Sequence, residues 1–318
     1  MDAARPTIQG RRQGKPGASL PTTDVRAWAA GPGAAGSEAH GRARPRATAL
    51  SPVRLLDEVR RTPSLYLVLA VLLVVAAWMR LRDPACTIFL YDQARDLIVL
   101  HDLVHLDRLP LLGPEVSTGG YLGPAMYYLL APLAALSLAP EVMVLAFAAS
   151  NIAAIVIAFA VCRRYFGARS GVVAATLLGF DAYAISSSRA IWNPYLLPLV
   201  SALLLLAVLR VVVETEWRWL PVVALCLALL PQLHLTAGVH LLALLPEILE
   251  LPCLRRPPRR QLALAVACAA AMLLPLALFE LRSGFANLRA IVAGVRGVAR
   301  IGVPLPANLG ALYAQNLL

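Results

Sequence analysis

Residues 64–81, SLYLVLAVLLVVAAWMRL, decide the fold. The run is close to the ~20 apolar residues that a helix needs to cross about 30 Å of hydrocarbon. Arg60 and Arg61 stand just before it, which predicts a cytoplasmic N-terminus, because basic residues are retained on that side. Further apolar runs follow at 141–162, 171–188, 191–213, 219–231, 236–251 and 261–281. Across the 318 residues, 59% are hydrophobic and 15% charged, with a mean hydropathy of +0.69. A soluble domain carries roughly 45–50% apolar and about 25% charged residues. The excess cannot be buried in one water-soluble core. A wholly disordered chain, a disulfide-rich secreted domain and an ordinary cytosolic enzyme are excluded. The chain reads as an all-α polytopic membrane protein.

The formal net charge is +11. Its basic residues fall in short clusters between apolar runs, the pattern of cytoplasmic loops, so nucleic acid is excluded as a partner. Lys15 is the only lysine, a bias we ascribe to a GC-rich genome. Cys86, Cys162, Cys226, Cys253 and Cys268 have no paired spacing and read as small apolar side chains.

Residues 1–62 form a separate region. They are rich in Arg, Gly, Pro and Ala and carry eleven basic residues against five acids. Without apolar periodicity the segment is expected to be a disordered basic tail. No signal-peptide pattern begins at Met1, and a passive leader or misassigned start explains the tail more readily than a regulatory role.

The segment 124–138, PAMYYLLAPLAALSL, sets the topology. If it spans, the arginine-bearing loops 163–169, 214–218 and 255–260 all fall outside. If it does not, all three join the N-terminus in the cytoplasm, as the positive-inside rule requires. Seven spans result, with 219–231 short for a bilayer. The first outer loop then contains an amphipathic helix over 92–107, with Leu97, Leu100 and Val104 at helical spacing. The turn-rich GPEVSTGGYLGP (113–124) ends it. Residues 82–140, the turn Ser188–Pro194, the turn Gln232–Thr236 and the segment after Glu280 share the outer face. Polar residues at membrane depth are costly unless they line a cavity or pair, so four such breaks on one face predict a cavity there.

YDQARD (91–96) is the sharpest local signal. Asp92 and Asp96 are four apart, on one helix face, with Arg95 beside them. They suit a general base and an oriented partner; the plain structural alternative is a helix N-terminus stabilised by acids. His101 and His105 have metal-ligand spacing, against a simple wet helix face. Arg189 either snorkels at a span end or faces a phosphate. Trp192 suits an interfacial belt, and Asn193 either caps a helix or lines the site. Gln232 and His234 break two short apolar runs. Glu280, followed by Arg282, ends the last span. Asp181 reads as a carboxylate inside the third span, either functional or bonded to a serine of 186–188. No Walker-type GxxxxGK[ST], GxSxG or CxxC pattern is present.

The order of these pieces resembles the GT-C superfamily of membrane glycosyltransferases, most closely the bacterial family 39 type related to protein mannosyltransferases and aminoarabinose transferases. The resemblance covers about residues 64–290. It is carried by YDQARD, LPLLGPEVSTGGYLGPAMYYLLAP, RRYFGARS, SRAIWNPYLLP, LPQLHLTAGVHLLALLP and LPLALFELRSGFAN. It implies a GT-C-like bundle over 63–318 with an extracytoplasmic first loop bearing amphipathic and juxtamembrane helices. Asp92 matches the family's catalytic acid after the first span, and Arg95 a basic residue near it. The family's basic residue before the juxtamembrane helix is absent at Leu122-Gly123-Pro124, leaving Arg189 or His234 to meet the donor phosphate. Family members usually continue for several more spans, so a truncated chain is expected.

The expected activity is inverting transfer from a polyprenyl-phosphate sugar to a lipid, glycan or protein hydroxyl, at the outer face of a bacterial inner membrane. Asp92 and Asp96 are the candidate catalytic residues. Arg95, Arg189, Asn193, Gln232, His234 and Glu280 are the candidate substrate contacts. No cofactor is assigned; a divalent metal is compatible with the chemistry, but no ligand set is assigned. The rival readings are a multi-pass transporter or flippase, for which inverted-repeat symmetry is missing, and a non-catalytic membrane protein.

Overall fold

The computed structural model describes residues 59–117, 119–240, 243 and 257–300. Nearly all of the expected basic tail, most of the 236–251 span and the C-terminal 301–318 lie outside the described residues. Among the described residues the fold is helical and has no strand; one isolated bridge pairs Glu115 with Tyr121.

The helices are α1 (Pro63–Leu81), α2 (Tyr91–Val104), α3 (Ala125–Ala134), α4 (Pro140–Phe166), α5 (Ala168–Phe180) and α6 (Ala182–Ser187). They continue with α7 (Leu197–Val212), α8 (Leu220–Leu233), α9 (Arg259–Arg282) and α10 (Ala286–Arg300). A 3-10 turn, Asn193–Leu196, leads into α7. Among the described residues four helices are long and apolar enough to cross a membrane: α1, α4, α7 with its leading turn, and α9. Three further apolar helices are shorter: α3, α5 and Trp217–Leu233. Many large apolar side chains point outward, among them Leu67, Val71 and Val74 of α1 and Val266 and Leu274 of α9. Such a surface suits lipid and not water.

Helices α1, α4 and α5 pack through Leu69, Ala76, Ile155 and Ala175. The larger core joins α2 and α3 to α4, α7 and α8 through Leu100, Met126, Phe147, Leu204 and Leu230. One polar residue inside α4 is matched: Asn151 Nδ2 donates to Phe147 O and to Tyr195 O, both at 3.0 Å. That satisfies a buried amide and pins α4 to the start of α7.

Two ends of the bundle differ in chemistry. At one, Arg163 Nε donates to Tyr66 Oη at 3.0 Å, so the end of α4 meets the beginning of α1. Beside it Glu214 accepts from Arg164, from Tyr165 Oη at 2.7 Å and from Arg210 at 3.1 Å. Glu216 extends the network to Arg210, Arg218 and Trp219. Burial works against ionising Glu214, but the hydrogen bonds from Arg164 and Tyr165 and the charges of Arg210 and Arg164 outweigh it and hold its carboxyl below the usual range.

Helix α4 has 27 residues, about 40 Å at 1.5 Å per residue. Its start therefore lies at the opposite end, where α1 finishes, and the chain leaves and re-enters the bundle at that end between residues 82 and 139. Helix α3, ten residues long with Pro132 inside, lies within this excursion.

Two expectations need correction. The run 171–188 is not one helix. Asp181 breaks it, because its carboxylate accepts from Ala184 N at 2.7 Å and caps α6. Asp181 is exposed and bonds no serine side chain, so it is not a buried intramembrane acid. The buried stripe of α2 runs through Gln93, Asp96, Leu100 and Leu103 and faces the bundle. Leu97 and Val104 are only partly buried against the same core.

Candidate functional site

The four outer breaks expected from the sequence meet at the end of the bundle opposite Glu214. Thr87 Oγ1 donates to Arg189 O at 2.8 Å, and Gln93 Nε2 donates to Ile191 O at 3.0 Å. Asn193 Nδ2 donates to Leu233 O, joining the Ser188–Pro194 turn to the Gln232–Thr236 turn. Asn287 Oδ1 accepts from Tyr121 N at 2.6 Å, while its Nδ2 donates to Tyr121 O and to Glu280 Oε1.

The acidic motif sits at the start of α2. Gln93 Oε1 accepts from Leu90 N at 2.9 Å and closes the first turn. Arg95 lies between the two acids: Nη1 donates to Asp92 Oδ1 at 2.9 Å, Nη2 to Asp96 Oδ1 at 2.9 Å. Tyr127 of α3 donates its hydroxyl to the same Asp96 oxygen at 2.8 Å. Their exposures diverge, because the Asp92 side chain is 53% exposed and that of Asp96 only 1%. Asp96 Oδ2 is buried without a hydrogen-bond partner among the described residues. Burial pushes the Asp96 carboxyl above its usual range, against the charge of Arg95 and the bond from Tyr127. Burial likewise pushes the Tyr127 phenol up, and the neighbouring Asp96 adds to this.

Arg95 and Tyr127 line a cavity of ≈ 530 Å³. Its other walls are Asp102, Arg108 and the apolar run Leu109–Leu112, with Tyr121 and Phe279. The loop forming this wall is tight. Gly113 N donates to Leu122 O at 2.8 Å, and a Cβ on Gly113 would stand 2.2 Å from Gly123 O. Tyr128 Oη holds the same loop by donating to Pro110 O at 2.9 Å.

The other expected contacts stand apart from this wall. Arg189 donates to Asp83 O at 3.4 Å, and its Nε is buried without a partner among the described residues. Asn193 and Gln232 are buried. Gln232 Nε2 bridges Ala228 O and Met272 O, tying α8 to α9, and its Oε1 is without a partner among the described residues. His234 Nδ1 pairs with Thr236 Oγ1 at 2.7 Å at a turn. Glu280 Oε1 accepts from Asn287 Nδ2 at 3.0 Å. His101, Asp102 and Asp107 bring ligand atoms within 4.8 Å of one another, enough to hold a cation. They are exposed or half-exposed, and His101 stacks on His105 at 4.2 Å.

Arg108, Tyr121 and Tyr127 escaped the sequence reading. A phenol inside the apolar MYYLL was the available signal, since a buried tyrosine hydroxyl needs a partner. Compared with family models, curated proteins and solved structures, the chain has no match.

Proposed function

We propose that the chain is an inverting glycosyltransferase of GT-C type, using a polyprenyl-phosphate sugar as donor. The observation that supports it most is the chain Asp92–Arg95–Asp96–Tyr127 beside a cavity whose wall combines two guanidiniums with apolar side chains. Arg95 and Arg108 suit a phosphate, and Leu109, Leu111 and Leu112 suit the first carbons of a lipid.

The half-exposed Asp92 carboxylate takes the proton of the acceptor hydroxyl. The acceptor oxygen bonds to the anomeric carbon as the bond from that carbon to the phosphate oxygen breaks. The electron pair leaves with the polyprenyl phosphate, and the configuration inverts. Charge grows on the departing phosphate, so the guanidiniums act chiefly in the transition state. Asp96 and Tyr127 are positioning residues: they fix Arg95. A divalent cation, if His101, Asp102 and Asp107 hold one, would add positive charge near Asp102.

The same reading takes the membrane to be a bacterial inner membrane and the site to face outward. It counts seven spans, with 124–138 as a juxtamembrane helix and the loops 163–169, 214–218 and 255–260 inside. Lipid, glycan or protein hydroxyls are the acceptor class.

The test is transfer by the purified full chain, given a panel of radiolabelled polyprenyl-phosphate sugars and a hydroxyl-bearing lipid or peptide. Product with inverted configuration, lost in Asp92→Asn, is expected. Vesicles that move the lipid-linked sugar across the bilayer without transferring it would favour a flippase and defeat the proposal.

A further inference from the structure

We infer that α10 is a docking element for anionic phospholipid headgroups, laid on the bilayer surface at the rim of the cavity. Three observations carry this. The first is direction. Gly284 and Phe285 adopt left-handed φ values of 61° and 63°, a conformation that strains a phenylalanine. Two such residues in succession stop α9 and prevent α10 from continuing its axis. Ser283 Oγ accepts from Ala286 N at 3.3 Å and starts the new helix.

The second is mooring. Asn287 is buried and clasps Tyr121 and Glu280, while a Cβ on Gly120 would stand 2.6 Å from Ile291. One side of α10, through Asn287 and Ile291, is thereby spent on the first outer loop. Tyr121 and Phe279, which flank the clasp, line the cavity.

The third is the chemistry of what is left. Leu288, Val292 and Val295 follow at i, i+4 and i+7, and they are 50%, 39% and 48% exposed. Arg289 and Arg296, seven apart, flank that stripe and are exposed. Arg289 also donates to Gly284 O at 2.6 Å, which leaves other guanidinium donors outward. From Leu281 to Arg300 the sequence has arginines at 282, 289, 296 and 300 and no acid. An apolar stripe rimmed by arginines, attached to the end of a membrane-length helix, matches a layer of hydrocarbon topped by phosphates. A water-facing role would leave three branched apolar side chains exposed in a row. Each arginine near an anionic surface strengthens docking by roughly five-fold at low salt.

The test uses the full chain with its native cysteines replaced, reconstituted into phosphatidylcholine vesicles with or without phosphatidylglycerol. An environment-sensitive fluorophore is placed at Val295→Cys, or at Ala293→Cys on the opposite side of the helix. With phosphatidylglycerol, the Val295 probe is expected to be quenched by lipid-borne doxyl groups and the Ala293 probe by aqueous iodide. Arg289→Gln with Arg296→Gln should weaken docking by roughly 30-fold, with unchanged thermal unfolding. The double lysine variant should retain it. High salt should also weaken it, since the Debye length falls to about 3 Å at 1 M. A Val295 probe open to iodide in both lipids overturns the proposal. So does an equal response with and without phosphatidylglycerol. A probe shielded from both quenchers would mean that protein covers the face, and that also overturns it. None of these readouts depends on sugar transfer.

Discussion

Arg80 Nη1 stands 2.8 Å from the carbonyl oxygen of Gly179, and this contact ties the end of α1 to the last turn of α5. The same guanidinium reaches Leu178 O at 2.9 Å and its own helix at Ala76 O. Helix ends leave carbonyls without partners, and here a 1% exposed arginine takes two of them. Arg80→Leu strands those carbonyls away from water. Thermal unfolding in detergent should show a loss of about 1–3 kcal/mol. Arg80→Lys should recover part, since an ammonium cannot serve both oxygens in a planar fork.

Asp92→Asn should lower turnover by roughly 10²–10⁴-fold, the usual contribution of a positioned base. Its pair with Arg95 is open to solvent, and such pairs contribute about 0–1 kcal/mol, so the melting curve should hardly move. Steady-state transfer and unfolding, measured on one preparation, check both halves. Turnover equal to the parent chain would remove Asp92 from the mechanism.

Asp96 gives a pH signature. Its carboxyl is raised in the folded chain from the ordinary 3.8. The folded state therefore binds more protons than the unfolded one above that value, and stability falls as pH rises through the folded titration. Asp96→Asn should flatten this slope above about pH 4, while still accepting from Tyr127. Unfolding temperatures read across pH for the two proteins give the comparison; parallel curves would contradict the assignment.

Gly113→Ala should disturb the cavity wall, because its new methyl meets the backbone oxygen of Gly123, which no rotamer change can relieve. Overpacking of this kind costs about 1–3 kcal/mol. Gly297→Ala meets nothing and serves as the control. Circular dichroism melts of the pair should differ in that direction.

Single cysteines in 163–169 and 214–218 should resist an impermeant maleimide applied to intact cells, and a cysteine at His101 should react. Labelling of either loop from outside would mean that α3 crosses the membrane.

The long apolar runs were legible because composition alone decides a span of α1's kind. The break at Asp181 was not, since 171–188 reads as uninterrupted until the cap to Ala184 is visible. The grouping of Asp92, Arg95 and Asp96 followed from helical spacing. Their unequal burial did not, because what covers Asp96 is Tyr127, 31 residues away. Arg108 gave no signal at all: a lone arginine beside LPLLG is indistinguishable from a solvated one until the loop folds back over it. Arg189 and His234 looked like phosphate contacts because both sit at outer breaks. Spacing shows neither the bond from Arg189 to Asp83 O, 106 residues away, nor the pairing of His234 with Thr236 within its own turn.

The ion-paired network around Glu214 makes the two ends of the bundle mechanically unequal. Arg164, Arg210 and Glu214 rivet α4 to α7 at one end. At the Asp92 end, hydrogen bonds such as Gln93–Ile191 and Asn193–Leu233 do most of the joining. A small rocking about the riveted end becomes a displacement that grows with distance along α4, about 40 Å long. The riveted end thus acts as the fulcrum of a lever, and any widening of the bundle is largest at the end where the cavity lies.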